Sequence, residues 1–376
     1  MSDCNTEDDE KQKVGLVKPT DTTQYFKKRS QKYIDELLKQ KINKFTPDLI
    51  AFSILEDNYH YANELMKTIK SIDNIPIMVG GTTPTVAPEI LIKNPNIDWL
   101  IRGEGELAMS EFCRRFENGQ NIENVPNLVF EKDSRIVMNP IGSFVEMEGL
   151  PFQNFDRWGE GHLVKSYDGK VYGAGFLEKS RGCMFKCTYC VNVTYQSLLK
   201  DSGKYFRSKS VNRIIDEAKY QIDKYGFEMF FFCDDNFLTM TMDTLKDFSK
   251  NWKEKIDKPF WINTTVESCG DEERIKILKQ SGCHGIGLGI ETGSEILRSV
   301  VLHKFATNKT IKGIVNTLNK YGYRSTANIM LGFPGETIAD IRDTVEFVRD
   351  LEVEVWNAKF LSPYYATPIH TITASL

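Results

Sequence analysis

Apolar side chains in this chain come in short dense runs, and between the runs they recur at every third or fourth position. The first rhythm is that of a buried strand, the second that of an amphipathic helix. Residues 1–12 show neither and are expected to be disordered. Val14–Val17 reads as a short strand. Residues 23–44 read as a helix with Phe26, Tyr33, Ile34, Leu37, Leu38 and Ile42 on one face and a solvated basic face opposite. From Pro47 onward strand and helix alternate. Strands are predicted at Leu49–Ser53, Ile75–Val79 and Asp98–Ile101, and helices over 59–71, 88–93 and 107–118. Residues 124–160 read as a connector, with a hairpin formed by Asn127–Glu131 and Arg135–Met138 around Asp133-Ser134.

Beyond the connector the alternation resumes with a longer stride. Strands are predicted at Val171–Glu178, Glu228–Cys233, Phe260–Thr264, Gly285–Ile290, Ser325–Leu331 and Val355–Leu361. Helices over 211–225, 243–256, 271–281, 294–302, 308–321 and 338–351 separate them. Strand–helix alternation builds parallel sheets covered by helices. The expected class is therefore α/β: a Rossmann-like parallel-sheet domain followed by an incomplete (β/α)6 barrel. The divisions are an extension over 1–45, a first domain over 46–140, a linker over 141–169 and a second domain over 170–376. In both architectures ligands gather at the carboxyl ends of the strands.

The 376-residue length suits two cores rather than one. A net charge of −4 gives no basic field for nucleic acid. No apolar run approaches the ~18 residues of a membrane span, and the polar start Met1-Ser2-Asp3-Cys4 is unlike a signal peptide. Eight cysteines in a chain this long are too sparse for a disulfide scaffold, which fits a reducing cytoplasm.

Three of those cysteines fall within eight residues: Cys183, Cys187 and Cys190, spaced C-x3-C-x2-C, on the loop after the first strand of the second domain. Thiolate is a soft ligand suited to iron–sulfur clusters, zinc or copper(I). A cubane 4Fe–4S cluster ordinarily takes four cysteines; three would leave one iron open for chemistry on a ligand. The competing reading is a zinc knuckle completed by Cys233, Cys269 or His284, although structural zinc sites usually pair well-separated C-x2-4-C units.

With Tyr189 just before its last cysteine, the run resembles the motif of radical S-adenosylmethionine (SAM) enzymes. The resemblance covers about 170–370. It implies a 4Fe–4S cluster on the three cysteines, SAM on the open iron, an external one-electron reductant and a small-molecule substrate. Other strand ends match the same family. Asp234-Asp235-Asn236 follows the second strand, and its carboxylates could receive the SAM ammonium, or simply cap a turn. Glu291-Thr292-Gly293-Ser294 follows the fourth strand, where Glu291 is a candidate for the ribose hydroxyls. Gly332-Phe333-Pro334-Gly335-Glu336-Thr337 follows the fifth, and Gly332, Pro334 and Gly335 would let the adenosyl group approach the backbone. Tyr189 is expected near the adenine. Ser362–Pro368 resembles the family's P-x-P-G-T-P stretch, with Tyr365 and Ala366 in place of Pro and Gly.

Residues 45–140 resemble the cobalamin-binding domain attached to many radical SAM enzymes. Ser53 and Leu55 match its S-x-L element, and Gly80-Gly81 its G-G element; Gly103 and Glu104 stand at the next strand end. The D-x-H-x-x-G motif that supplies a lower axial histidine is missing, and the first strand and helix are shortened. Together the resemblances imply a cobalamin-dependent methyltransferase acting on an unactivated carbon or phosphorus centre. A ring-forming cyclase of the anaerobic Mg-protoporphyrin ester type and a non-catalytic metal or cobalamin carrier are the alternatives. A nucleic-acid methylthiotransferase would need further domains that the sequence does not display. The chain stops soon after the sixth strand, so a fragment, or a barrel closed by a partner, is expected.

Overall fold

The computed structural model describes residues 30–167 and 169–375. The expected strand at Val14–Val17 and the start of the 23–44 helix lie outside them; the described helix is Gln31–Phe45, capped by the Ser30 side chain.

The first domain is a five-stranded sheet, β1 (Ile50–Ser53), β2 (Ile77–Gly80), β3 (Trp99–Ile101), β4 (Leu128–Lys132) and β5 (Arg135–Met138), in that spatial order. β1, β2 and β3 are parallel, as the alternation predicts. The hairpin β4–β5 extends this sheet antiparallel to β3 instead of lying as a free connector. The reason is its own patterning: Leu128, Val129 and Phe130 are buried, and only the sheet edge offers them a core. One face of the sheet packs on helix 59–72 through Met66, Ile69, Ile77 and Val79, and the other on helix 106–117 through Phe112.

The second domain is a curled seven-stranded sheet. Its six parallel strands are β7 (Lys170–Leu177), β10 (Met229–Phe232), β11 (Phe260–Thr265), β12 (Cys283–Glu291), β13 (Arg324–Leu331) and β14 (Val355–Phe360). A seventh, β6 (Val164–Tyr167), pairs antiparallel on the outside of β7. Each of the six parallel strands begins and ends within two residues of its predicted place. The helices start where polar caps stop the strand rhythm: Ser210, Thr241, Asp271, Thr307 and Thr337 each accept a backbone N–H of the first turn. Between sheet and helices lies an aromatic core of Phe230, Phe232, Phe248, Trp252 and Phe260, all at most 1% exposed. Each such ring contributes roughly 1.5–3 kcal/mol by leaving water. A two-stranded ribbon, β8 (Ser180–Arg181) with β9 (Arg207–Ser208), brackets the cysteine loop. No helix among the described residues is long and apolar enough to cross a membrane.

Candidate active site

The cysteine loop runs from β8 into helix 191–198, at the carboxyl end of β7. Gly182 takes φ +82, and a Cβ there would stand 2.7 Å from the Tyr205 carbonyl oxygen, so only glycine lets the chain turn into the loop. Gln196 donates to the carbonyls of Cys183 (2.8 Å) and Phe185 (3.0 Å). Thr188 ties the loop to the opposite side of the barrel, donating from its N–H to Leu302 O (3.2 Å) and from its hydroxyl to Val301 O (2.6 Å). All three thiols are free, with Cys183 and Cys187 buried and Cys190 half-buried. Burial pushes all three up, Cys187 to about 11, and the neighbouring Cys190 adds to the rise at both Cys183 and Cys187. Asn192 reaches the Cys190 sulfur at 3.5 Å.

Among the described residues no three His, Cys, Asp or Glu side chains converge on one point that could hold a single ion. A cubane asks for something else: each thiolate takes its own iron, so three soft, mutually close, water-shielded sulfurs on one anchored loop fit it.

Asp234 and Asp235 diverge. Asp234 is buried and accepts from the Ser180 hydroxyl and the Lys179 N–H (3.2 Å), with the Lys179 ammonium at 3.9 Å. It thereby holds the strand that enters the cysteine loop. Asp235 remains accessible on the side of the thiols; the surrounding recess raises its pKa against a hydrogen bond from Asn192.

Glu291 is buried in the left-handed region at φ +69. Such a backbone costs a β-carbon residue on the order of 1–3 kcal/mol. Tyr189 donates its hydroxyl to Glu291 Oε1 (2.8 Å), and Lys304 pairs with the same oxygen at 3.0 Å while donating to Gly289 O at 2.6 Å. Lys304 and Glu291 are 5% and 6% exposed, so this ion pair is walled off from water. It joins the cysteine loop, through Tyr189, to the end of β12. Lys304 was not legible in the sequence: it follows His303 in a loop and looks like any surface lysine. It is delivered by a π-helical turn, Leu297–Val301, braced by the buried Arg298, which donates to Ala306 O (2.8 Å), Asn308 Oδ1 (2.7 Å) and Thr292 O.

The turn after Glu291 docks on helix 338–349. The Gly293 N–H donates to Thr344 Oγ1 (2.9 Å), and a Cβ on Gly293 would stand 2.7 Å from Thr344 Cα. Gly293→Ala is therefore expected to cost about 1–3 kcal/mol, read as a lower urea midpoint at unchanged slope. An unchanged midpoint would show that the helix yields freely.

In the next turn, Gly332 and Gly335 take φ +87 and +79, and Pro334 lies between them half-buried. The Glu336 carboxylate closes the turn on the N–H groups of Gly332 and Phe333. Phe333 packs with Leu302, Ile369 and Tyr189 in an apolar cluster behind the cysteine loop.

At the first domain's strand ends, Ser53 and Leu55 are exposed. Gly81, at φ +111, is a packing glycine: a Cβ would stand 2.7 Å from Ile54 O. Gly80 and Gly105 are open; a Cβ on Gly80 would meet only Ile101 O at 3.8 Å, and one on Gly105 nothing within 4 Å. Gly103 donates its N–H to Thr85 Oγ1 (2.9 Å). These bare backbone positions, with Leu55 beside them, fit the flat face of a bulky corrin. His60, the one histidine of this domain, is exposed at a helix start. Glu104 is committed elsewhere. It accepts from Arg207 and the Val145 N–H (3.0 Å), and Arg181 stands 3.3 Å away. Arg181, two residues before Cys183, also pairs with Glu106 (2.7 Å) and Glu178 (3.0 Å). Tyr195, on the helix after Cys190, hydrogen-bonds Thr82 and Thr85. Tyr364 donates to Asp57 Oδ2 at 2.8 Å. The strand ends of the two domains thus meet around the cysteine loop.

Arg181→Ala is expected to loosen this junction. Stripping three carboxylates of a half-buried guanidinium should cost about 1–3 kcal/mol and open the 181–190 loop to faster proteolysis. Equal cleavage rates in variant and wild type would contradict it.

The sequence matches the radical SAM superfamily over residues 177–348 and the B12 binding domain over 25–113. It is 26% identical to the uncharacterized methyltransferase PH0819 of Pyrococcus horikoshii, covering 87% of this chain and 69% of that protein. It is 24% identical to the anaerobic magnesium-protoporphyrin IX monomethyl ester cyclase of Cereibacter sphaeroides, covering 89% of this chain and 54% of that one. Among solved structures it resembles the radical SAM methyltransferase TsrM of Kitasatospora setae, determined with cobalamin and a [4Fe-4S] cluster bound. The TM-score is 0.71 at 18% identity, covering 89% of this chain and 68% of that one.

Proposed function

We propose that this chain, which matches the radical SAM superfamily over 177–348 and the B12 binding domain over 25–113, reductively cleaves SAM and transfers a methyl group to an unactivated carbon or phosphorus centre of a small molecule. The observation that carries this reading is the junction itself. Arg181 and Tyr195, which flank the cysteine triad, both bind the strand-end loops of the B12-type domain. Two cofactor-bearing ends held against each other suit chemistry that uses both.

When bound, a three-thiolate 4Fe–4S cluster supplies one electron to a sulfonium chelated at its open iron, and cobalamin supplies a cobalt centre for methyl transfer. The rest is the work of this chain's residues. Cys183, Cys187 and Cys190 hold the cluster. Asp235, accessible beside them, receives the SAM ammonium; Asp234 keeps the loop's entry strand in place. Glu291, with its Oε1 fixed by Tyr189 and Lys304, offers the other oxygen to the ribose hydroxyls. The 332–336 turn presents bare backbone to the adenosyl group, and the Leu302–Phe333–Ile369 cluster keeps water from behind the loop. Ser53, Leu55, Gly80, Gly81 and Gly103 form the shelf for cobalamin.

The cyclase relative supports a second reading, ring closure without methyl transfer. Anaerobically reconstituted protein given a strong one-electron reductant and methyl-deuterated SAM decides between them. The proposal expects 5′-deoxyadenosine together with label retained in the methylated product. 5′-Deoxyadenosine with an unlabelled product favours the cyclase, and none at all from an intact cluster favours a carrier.

A further inference from the structure

The lumen of the half-barrel carries polar groups that neither the cysteine loop nor the SAM-facing turns engage. Alternate residues of each strand face inward, and on β12 these are Gly285, Gly287 and Gly289. Side chains from the neighbouring strands lie across the bare positions. The Trp261 ring occupies the space a Cβ on Gly285 would take. Asn263 Oδ1 occupies the space over Gly287, with Asn328 Nδ2 3.5 Å from the same point. Two amides, one from β11 and one from β13, thus both reach over β12 at Gly287.

Asn263 is exposed while Ile262 and Thr264 on either side are buried. On a strand paired along both edges, that exposure is into an open lumen. No side chain among the described residues completes the Asn263 amide, and Asn328 Nδ2 reaches only Leu288 O, at 3.4 Å.

The wall formed by β7 and β10 is aromatic: the Phe176 and Phe231 rings lie 6.2 Å apart, tilted by 33°. Lys165, on β6, holds its ammonium 5.5 Å from the Phe176 centroid and has no carboxylate partner among the described residues. Deeper in, a cavity of about 220 Å³ is lined by Tyr167, Trp261, Arg324 and Glu354. Arg324 there is neutralised by Glu354 and lies over the Tyr167 ring at 4.9 Å. On this wall Lys165 is thus a cation left without a carboxylate among the described residues.

A ring wall takes a flat conjugated body. Two amides offer donors and acceptors to its heteroatoms. A lone ammonium above a ring calls for an anion. We infer that the lumen selects a small planar organic anion, with Lys165 pairing a carboxylate or phosphate and Asn263 and Asn328 hydrogen-bonding the heteroatoms of the ring. The inference rests on the reading of the lumen as the substrate chamber of a radical SAM enzyme.

The test is calorimetric titration of the reconstituted full chain with 1-naphthoate, 1-naphthyl phosphate and 1-naphthamide. At least one anion is expected to bind about tenfold or more tighter than the amide, the scale of one charge-assisted contact. Whichever anion wins identifies the acidic group. Lys165→Met should erase that margin without changing naphthamide affinity, Lys165→Arg should keep it, and Asn263→Leu should weaken all three ligands. A wild-type urea midpoint in each variant confirms its fold; Lys165→Gln replaces the methionine variant if that one fails. No binding by wild type, equal binding of anion and amide, or a margin that survives loss of the ammonium overturns the inference. 5′-Deoxyadenosine formation by wild type is followed in parallel. If it is present and the margin absent, this inference alone falls; if it is absent and the margin present, the activity proposal falls.

Discussion

Serine in place of Cys187 is expected to lower 5′-deoxyadenosine formation by at least about a thousandfold. The scale follows from outer-shell partners of metal ligands, whose loss already costs about 10–100-fold; removal of a ligand atom exceeds that. A serine oxygen is hard and stays protonated near neutrality, so it does not replace a soft thiolate. Cys187 is the informative member of the triad, because the loop around it stays tied without its sulfur. Thr188 remains bonded to Val301 and Leu302, and Gln196 to Cys183 and Phe185. The variant should therefore fold with a normal urea midpoint yet lose iron and visible absorption on anaerobic reconstitution. Cys113→Ser, on an exposed position of the first domain, is the control and should retain both. Iron retained in the Cys187 variant, or zinc in place of iron in the wild type, would remove the cluster from the site.

What the sequence could reveal followed from how local each signal is. The six parallel strands and their helices were readable because each carries its own periodicity and its own cap, as at Ser210 or Thr337. The cysteine triad was readable because three ligands share eight residues. Strand β6 was not: Val164–Tyr167 is too short and polar to show a period, and pairing with β7 alone defines it. The same limit governs the site. Asp234 and Asp235 are adjacent in sequence and resemble one motif, yet Ser180, 54 residues earlier, captures the first, while the second stays exposed on the side of the thiols. Glu104 stands at a strand end, where a cofactor contact is a natural expectation, but Arg207, 103 residues later, takes its carboxylate. Lys304 and Arg298 act only through the tertiary fold. Long-range polar pairing leaves no periodic trace, so it is the part that pattern reading loses.

Lys304→Met should be the most damaging substitution outside the triad. It strands a carboxylate that is 6% exposed on a left-handed backbone. Removing one partner of a buried ion pair costs about 3–5 kcal/mol, chiefly because the other charge is left uncompensated. The Tyr189 hydroxyl offsets part of this, since it still donates to Glu291, and a hydrogen bond to a charged group contributes about 1.5–3 kcal/mol. Neutralising the stranded partner as well should restore most of the loss. Lys304→Met with Glu291→Gln is thus expected to be more stable than Lys304→Met alone, with a coupling of at least about 1 kcal/mol in a double-mutant cycle. Stability and function then separate. The double variant keeps its fold but has no carboxylate for the ribose hydroxyls, so its SAM affinity should stay reduced. Urea unfolding of the four proteins reads the first quantity, and SAM titration of the reconstituted enzymes the second. Additive stability effects would mean that Lys304 and Glu291 are each held by other contacts, and that the link from the cysteine loop to β12 does not run through them.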